Sequence, residues 1–147
     1  MDAKLRWKAH VKKKRVEMDL RYKRMYWLIG RSSSLSLHNK LLLYKQIPKP
    51  IWTYGIQLWG CTKQSNIEII QRFQNKVLRN MVIAPRYFRN NELHRDLQVN
   101  VVSSETQRFA QKHEGRLHHH ENVEAILLLD NTGIVIRLQR KNPFELV

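Results

Sequence analysis

Lysine and arginine side chains are the residues of this chain with the most evident chemistry. The first 50 residues hold 14 of the 27 lysines and arginines but only 3 of the 12 acidic side chains, within a formal net charge of +15. Ammonium and guanidinium groups bind phosphate through charge and hydrogen bonds. The concentration of charge therefore predicts a polyanionic partner, and RNA, DNA or an RNA–DNA hybrid is the partner we expect.

Two groups of basic residues have spacings that place them on helix faces. The residues that we predict to bind nucleic acid in the first group are Lys12, Lys13, Lys14, Arg15, Arg21, Lys23 and Arg24. The second group is Arg72, Lys76 and Arg79, at positions i, i+4 and i+7. For each group a solvated helix face is the alternative interpretation. A nuclear-import signal is a third interpretation for residues 12–15.

Candidate metal ligands and nucleophiles are few. His113 and the run His118, His119, His120 could hold zinc, but adjacent histidines point in different directions on a helix and no cysteine or carboxylate set completes a tetrahedron. Cys61 is the only cysteine and is predicted to be an inert, small apolar side chain. We therefore predict no metal site, no cofactor and no catalytic residue.

The four tryptophans could stack on bases or pack in a core. Trp7, Trp52 and Trp59 lie in apolar stripes, which favours core packing, whereas Trp27 lies off the stripe of its helix.

Hydrophobic periodicity predicts an all-α fold. The first helix should run from about residue 4 to 29, and its apolar stripe is Trp7, Val11, Met18, Tyr22, Met25 and Ile29, with Lys14 and Arg15 snorkelling from the edges. Ser36 is a predicted N-cap of a second helix, which Pro48 and Pro50 break or kink. A buried helical continuation should follow and end near Gly60.

The rest of the chain contains two apparent capping boxes. The first, at residues 65–68, predicts a helix to about Val82 whose stripe is Ile67, Ile70, Phe73, Val77 and Met81. The second, at residues 104–107, predicts a helix to about Leu117, after a short helix over residues 92–97. Residues 122–130 are predicted as one more short helix, and residues 134–140 as either helix or strand.

Length and hydropathy exclude other classes of protein. No apolar run approaches the roughly 20 residues that span a bilayer, so no membrane contact is predicted. The polar, basic start carries no signal-peptide core, which predicts an intracellular, reducing compartment and leaves a nuclear location open.

Several sequence runs resemble a known family. LLLYKQI at residues 41–47 and KPIWTYGIQLWG at residues 49–60 are similar to the segment after the palm of jockey-type reverse transcriptases, from non-LTR retrotransposons. LRWKAHV at residues 5–11, WLIG at 27–30 and IIQRFQNK at 69–76 extend the resemblance over essentially the whole chain. Pro48 departs from the family pattern, in which an apolar residue is expected.

The resemblance implies a division of the chain and a role for it. Residues 1–60 would form a thumb-like basic helical region against the template-primer duplex, and residues 61–147 a helical C-terminal extension. The aromatic-x-Asp-Asp turn of the palm is absent, and no Asp-Asp pair occurs in the sequence. A fragment of an RNA-directed DNA polymerase, inactive alone, is therefore expected.

The same resemblance suggests partners for the chain. The missing palm and fingers could complete a polymerase with it, and without them we expect exposed apolar surface and self-association. A domesticated helical interaction protein without a nucleic-acid role is the alternative.

Overall fold

In the computed structural model, residues 7–122 are described and every regular element among them is a helix. The helices are α1 (Lys8–Arg24), α2 (Tyr26–Ile29), α3 (Leu37–Gln46), α4 (Pro48–Thr53), α5 (Ile56–Trp59), α6 (Gln64–Val82), α7 (Asn90–Asp96) and α8 (Val102–His118). The predicted all-α class is confirmed. The predictions for residues 1–6 and for the segments 122–130 and 134–140 lie wholly or largely outside the described residues.

Helix α1 buries the stripe that its sequence predicts, but its bounds differ. Val11, Met18 and Tyr22 are buried, as is Ile29 in α2. The predicted single helix is broken at Met25, whose N–H bonds the carbonyls of both Arg21 and Tyr22 and whose ψ of 3° leaves the α region. Within the described residues the helix begins at Lys8, because Trp7 before it is left-handed with φ 49°.

The predicted break between α3 and α4 occurs at Pro48, whereas Pro50 lies in the first turn of α4. Ser36 Oγ accepts the N–H of Asn39 at 3.4 Å and begins α3, and Pro48 occupies the first position of α4, where its missing N–H has no cost. The predicted buried continuation to Gly60 is only partly correct. Gly55, with φ 66°, divides it into α4 and α5, and Tyr54 beside this break is 81% exposed.

Both predicted capping boxes are wrong. Helix α6 begins one residue before Ser65, with Lys63 as its N-cap and no side-chain cap. Helix α8 begins at Val102, two residues before Ser104, also without a side-chain cap. Glu68, which would close the first box, bonds Arg72 instead. Gln107, which would close the second, forms no side-chain hydrogen bond within residues 7–122.

Helix α6 is the centre of the structure. Its predicted stripe is buried throughout, and α1, α3, α7 and α8 all contact it. Asn80 Nδ2 donates to the Tyr22 hydroxyl at 2.8 Å, which ties α6 to α1. One apolar cluster extends from Val11 to Val102, so residues on both sides of Gly60 share a core. The division at residue 60 stays a prediction.

Within the described residues, no helix combines the length and apolar character that crossing a membrane requires.

Candidate nucleic-acid interface

The outer face of α1 carries four exposed cations. Lys12, Lys13, Lys23 and Arg24 are exposed, and none of them forms an ion pair within residues 7–122. Successive residues of a helix turn by about 100°, which places Lys12 and Lys23 along one edge of this face and Lys13 and Arg24 along the other. These four residues are named the α1 cation set below.

An exposed apolar strip runs between the two edges. Val16 and Leu20 lie one turn apart, and are 58% and 52% exposed. They point away from the buried stripe and no other part of the described structure covers them. The outer face of α1 is therefore an apolar strip with positive charge on both sides.

Two other predicted cations of α1 have partners inside the protein. Lys14 is buried, and its Nζ donates to the Ile51 carbonyl at 2.7 Å. Burial lowers the pKa of the Lys14 ammonium, against the opposing charge of Glu17. Arg15 pairs with Asp19 and lies 4.7 Å from the centroid of the Phe73 ring.

These contacts correct part of the predicted site. Lys14 and Arg15 stabilise the packing of α1 rather than presenting free charge, whereas Arg21 is exposed and only weakly paired, 4.0 Å from Glu17. The prediction that Lys14 snorkels is wrong, because its side chain is buried and its ammonium ends at the Ile51 carbonyl rather than in water.

The second predicted group lines a shallow groove of about 420 Å³ beside α6. This basic groove is lined by Arg31, Arg72, Asn75, Lys76, Arg79, Asn80, Ala84, Arg86 and Asn90. No acidic residue is among the lining residues, so the groove is positively charged. The sequence did not single out Arg31 or Arg86, because both lie in loops without a helical pattern, Arg31 before α3 and Arg86 just after α6.

Arg79 is committed to the fold. Its guanidinium donates to the Asn90 side chain at 2.9 Å, to the Pro85 carbonyl at 3.1 Å and to the Phe88 carbonyl. It therefore fixes the loop after α6. In the basic groove it adds positive electrostatic potential but no free hydrogen-bond donor. Arg72 and Lys76 remain exposed, with Arg72 only 3.4 Å from Glu68 in a solvent-exposed pair.

A second pocket, of about 260 Å³, adjoins the basic groove. Asn75 and Asn90 line both of them. The other polar residues of this amide pocket are Gln64, Glu68, Gln71, Asn91, His94 and Ser103.

Fixed hydrogen bonds form the floor of the amide pocket. Gln71 Oε1 accepts the N–H of Val102 at 2.8 Å, and its Nε2 donates to Asn75 Oδ1 at 2.9 Å. His94 Nδ1 lies 2.7 Å from the Val99 carbonyl, and Nε2 lies 2.7 Å from Asn75 Oδ1. Burial lowers the pKa of His94, while its bond to Val99 acts in the opposite direction.

The remaining candidates form no site in the described part of the chain. Among residues 7–122 no three potential metal ligands lie together, and His119 Nδ1 donates to the Gly115 carbonyl at 2.8 Å. Cys61 is partly exposed, and its thiol donates to the Leu58 carbonyl. Trp52 and Trp59 are buried as predicted, whereas Trp27 is 72% exposed.

Comparison with known proteins gives relatives over nearly the whole chain. It is 37% identical over 147 residues to a probable RNA-directed DNA polymerase from transposon X-element of Drosophila melanogaster. It is 34% identical over 141 residues to one from transposon BS, and 33% identical over 154 aligned residues to one from mobile element jockey, both of the same species. The chain is homologous to a segment of these polymerases.

The matches confirm the resemblance to jockey-type reverse transcriptases. They cover 100%, 96% and 99% of this chain, but the chain spans only 16%, 16% and 17% of the respective relatives. No protein-family model matches the chain, and no solved structure matches it.

Proposed function

We propose that this chain is the thumb-like and C-terminal part of a retrotransposon reverse transcriptase, and that it holds the template-primer duplex through α1. The observation that carries the proposal is the outer face of α1, where an exposed apolar strip lies between two edges of unpaired cations. Homology to transposon RNA-directed DNA polymerases supports a nucleic-acid partner.

An A-form duplex fits this face. Its minor groove is wide and shallow, and phosphates border it on both sides. Val16 and Leu20 would lie over the sugars of the groove, while each edge of the α1 cation set would meet the phosphates of one strand. Lys12 and Lys23 are 11 residues apart, which places them about 16 Å apart along the helix axis and lets one edge contact several successive phosphates.

Contacts of this kind do not discriminate between base sequences. Lysine and arginine bind phosphate oxygens wherever they occur, which suits a protein that must move along any template. Polymerisation itself requires two metal ions held by carboxylates, and the sequence contains no Asp-Asp pair. We therefore propose that the chain grips nucleic acid and that catalysis needs a palm supplied by other sequence.

The test is binding of the full chain to an RNA–DNA hybrid over a series of salt concentrations. Changing the α1 cation set to glutamine removes four positive charges. If all four residues contact phosphates, the slope of log K against log salt should become shallower by roughly 3–4. Binding at low salt should weaken in parallel.

A matched variant controls for net charge. Lys45, Lys63, Lys112 and Arg116 are exposed and lie outside α1, and changing them to glutamine removes the same charge. This control should retain most of the salt slope. Equal effects of the two variants, or binding that hardly depends on salt, would sink the proposal and favour a helical interaction protein with a merely solvated basic face.

A further inference from the structure

The basic groove and the amide pocket are neighbouring cavities that share two lining residues, and together they make a depression with two chemically different ends. Asn75 and Asn90 line both, so they mark the junction. Arginines and a lysine line one end, and amides, a hydroxyl and a carboxylate line the other. A ligand that spans both ends must have an anionic group beside a group with hydrogen-bond donors and acceptors.

The basic end has free charge for one phosphate group. Lys76 and Arg86 are exposed and form no ion pair within the described residues, and the exposed pair of Arg72 with Glu68 is weak. Arg79 is held in place by the loop after α6, so its charge stays fixed in the wall of the groove. A phosphate bound here would find several cations and no carboxylate in the lining.

The amide end has free donors and acceptors above a rigid floor. Gln71, Asn75 and His94 are bonded to one another and to the backbone at Val99 and Val102. In contrast, Gln64, Asn91 and Ser103 form no hydrogen bond through their side chains within residues 7–122, and Asn90 uses only its oxygen, toward Arg79. Amide side chains are the groups that pair with the polar edges of nucleobases.

The size of the amide pocket limits its ligand. Its volume of about 260 Å³ is less than the ~300 Å³ at which pockets for drug-sized molecules begin. This room suits a single base rather than a stacked pair. The Watson–Crick edges of bases in an A-form helix are already paired, so only an unpaired nucleotide can place that edge in such a pocket.

We propose that this depression binds one unpaired nucleotide of a single strand, with its phosphate on Arg72, Lys76 and Arg86 and its base edge on Gln64, Asn90 and Asn91. The site deepens the proposed function, on whose nucleic-acid partner it rests, but it lies on α6 and α7 and not on the outer face of α1. The chain thus holds a duplex with one surface and a single-stranded extension with the other.

The test uses short single-stranded oligonucleotides of five nucleotides with the full chain. Each of the four bases is presented as RNA and as DNA, alongside an oligonucleotide with an abasic central position. One base should bind roughly fivefold to a hundredfold more tightly than the others and than the abasic strand. The sugar with the tighter binding identifies the strand as RNA or DNA.

Two double variants separate the ends of the site. K76Q with R86Q should weaken binding of every oligonucleotide, including the abasic one, by a similar factor. Q64A with N91A should abolish the base preference while leaving abasic binding unchanged. All four residues are exposed, and equal melting temperatures of variants and parent confirm that folding is retained.

The outcomes distinguish this site from the duplex grip of α1. The α1 cation variant should lose duplex binding but leave oligonucleotide binding nearly unchanged. A parent chain that binds the oligonucleotides but no duplex would contradict only the proposed function. Equal binding of all bases and the abasic strand would overturn the nucleotide site. So would equal competition by an acidic peptide, because it would reduce the depression to a general anion patch.

Discussion

Replacing Glu105 with glutamine should destabilise the chain by an amount that depends on pH. The Glu105 side chain is 1% exposed and joins three parts of the structure. Its Oε1 accepts from Lys49 Nζ of α4 at 2.8 Å and from Asn100 at 3.1 Å, while its Oε2 accepts from Arg108 at 2.6 Å. Glutamine keeps the size of the side chain but removes its charge.

The expected loss lies between two limits. Removing one partner of a fully buried ion pair costs about 3–5 kcal/mol, and a hydrogen bond to a charged group contributes about 1.5–3 kcal/mol. The partners here are partly solvated, because the side chains of Lys49 and Arg108 are 22% and 60% exposed. Both charged side chains become hydrated when the carboxylate is lost. We therefore expect the unfolding free energy to fall by about 2–3 kcal/mol, or the melting temperature by roughly 6–12 °C.

The pH dependence follows from the direction of the pKa shift. Burial raises the pKa of Glu105, but Lys49, Arg108 and Asn100 together outweigh it, and the pKa lies below the usual glutamate value. A lowered pKa in the folded state adds stability above the unfolded-state pKa, near 4.3, and this stability is lost as pH falls through the folded-state value. The difference in unfolding free energy between parent and variant should therefore be largest at pH 7 and disappear below about pH 4.

Urea unfolding followed by circular dichroism at pH 7, 5, 4 and 3 measures this difference. Glu114→Gln is the matched control, because Glu114 is 38% exposed and only reaches His118 at 4.0 Å. A loss at pH 7 no larger than that of the control, or a difference that stays constant to pH 3, would refute the reasoning.

Two further predictions concern packing and exposed surface. Tyr44→Phe should change the unfolding free energy by less than about 1 kcal/mol, because the buried hydroxyl lies near Trp52 and Gln74 without a hydrogen bond of good geometry to either. A larger loss in a thermal melt would contradict this. Leu20 and Trp27 are exposed apolar side chains on α1 and α2, so we expect the chain to self-associate and the double change to serine to shift it toward monomer. Sedimentation velocity measures the self-association of the parent and of the double variant, and a monomeric parent would count against the prediction.

The core could be predicted from the sequence because burial follows the helical repeat. Val11, Met18 and Tyr22 recur at intervals that return to one side of a helix, and Ile70 and Val77 do the same in α6. Any tertiary arrangement that buries one side of these helices must bury these residues. Periodicity therefore predicted which side chains are inside without predicting how the helices cross.

The capping boxes failed because a short motif does not determine where a helix begins. The second box places a helix start at Ser104, but in the fold α8 already begins at Val102, and Glu105 within the box binds Lys49 at 2.8 Å. Lys49 is 56 residues earlier in the chain. A contact at that separation depends on the packing of α4 near α8, which local sequence does not encode.

The candidate site shows the same limit. The sequence identified the cations of α1, but Lys14 and Lys12 could not be told apart by residue type, and only the fold shows that Lys14 donates to the Ile51 carbonyl. Arg31 and Arg86 were missed for the opposite reason. They lie in loops without a periodic pattern, and the basic groove exists because the fold brings both to α6.

Helix α6 allows the two proposed surfaces to be tested independently. Its buried side supports α1, and Asn80 fixes that contact by donating to the Tyr22 hydroxyl, whereas Arg72 and Lys76 point from α6 into the basic groove. The cations proposed to bind ligand on either surface are exposed, and those that stabilise the packing, Lys14 and Arg79, are not among them. Neutralising one surface therefore removes no contact that supports the other, so a loss of binding at either reports that surface alone.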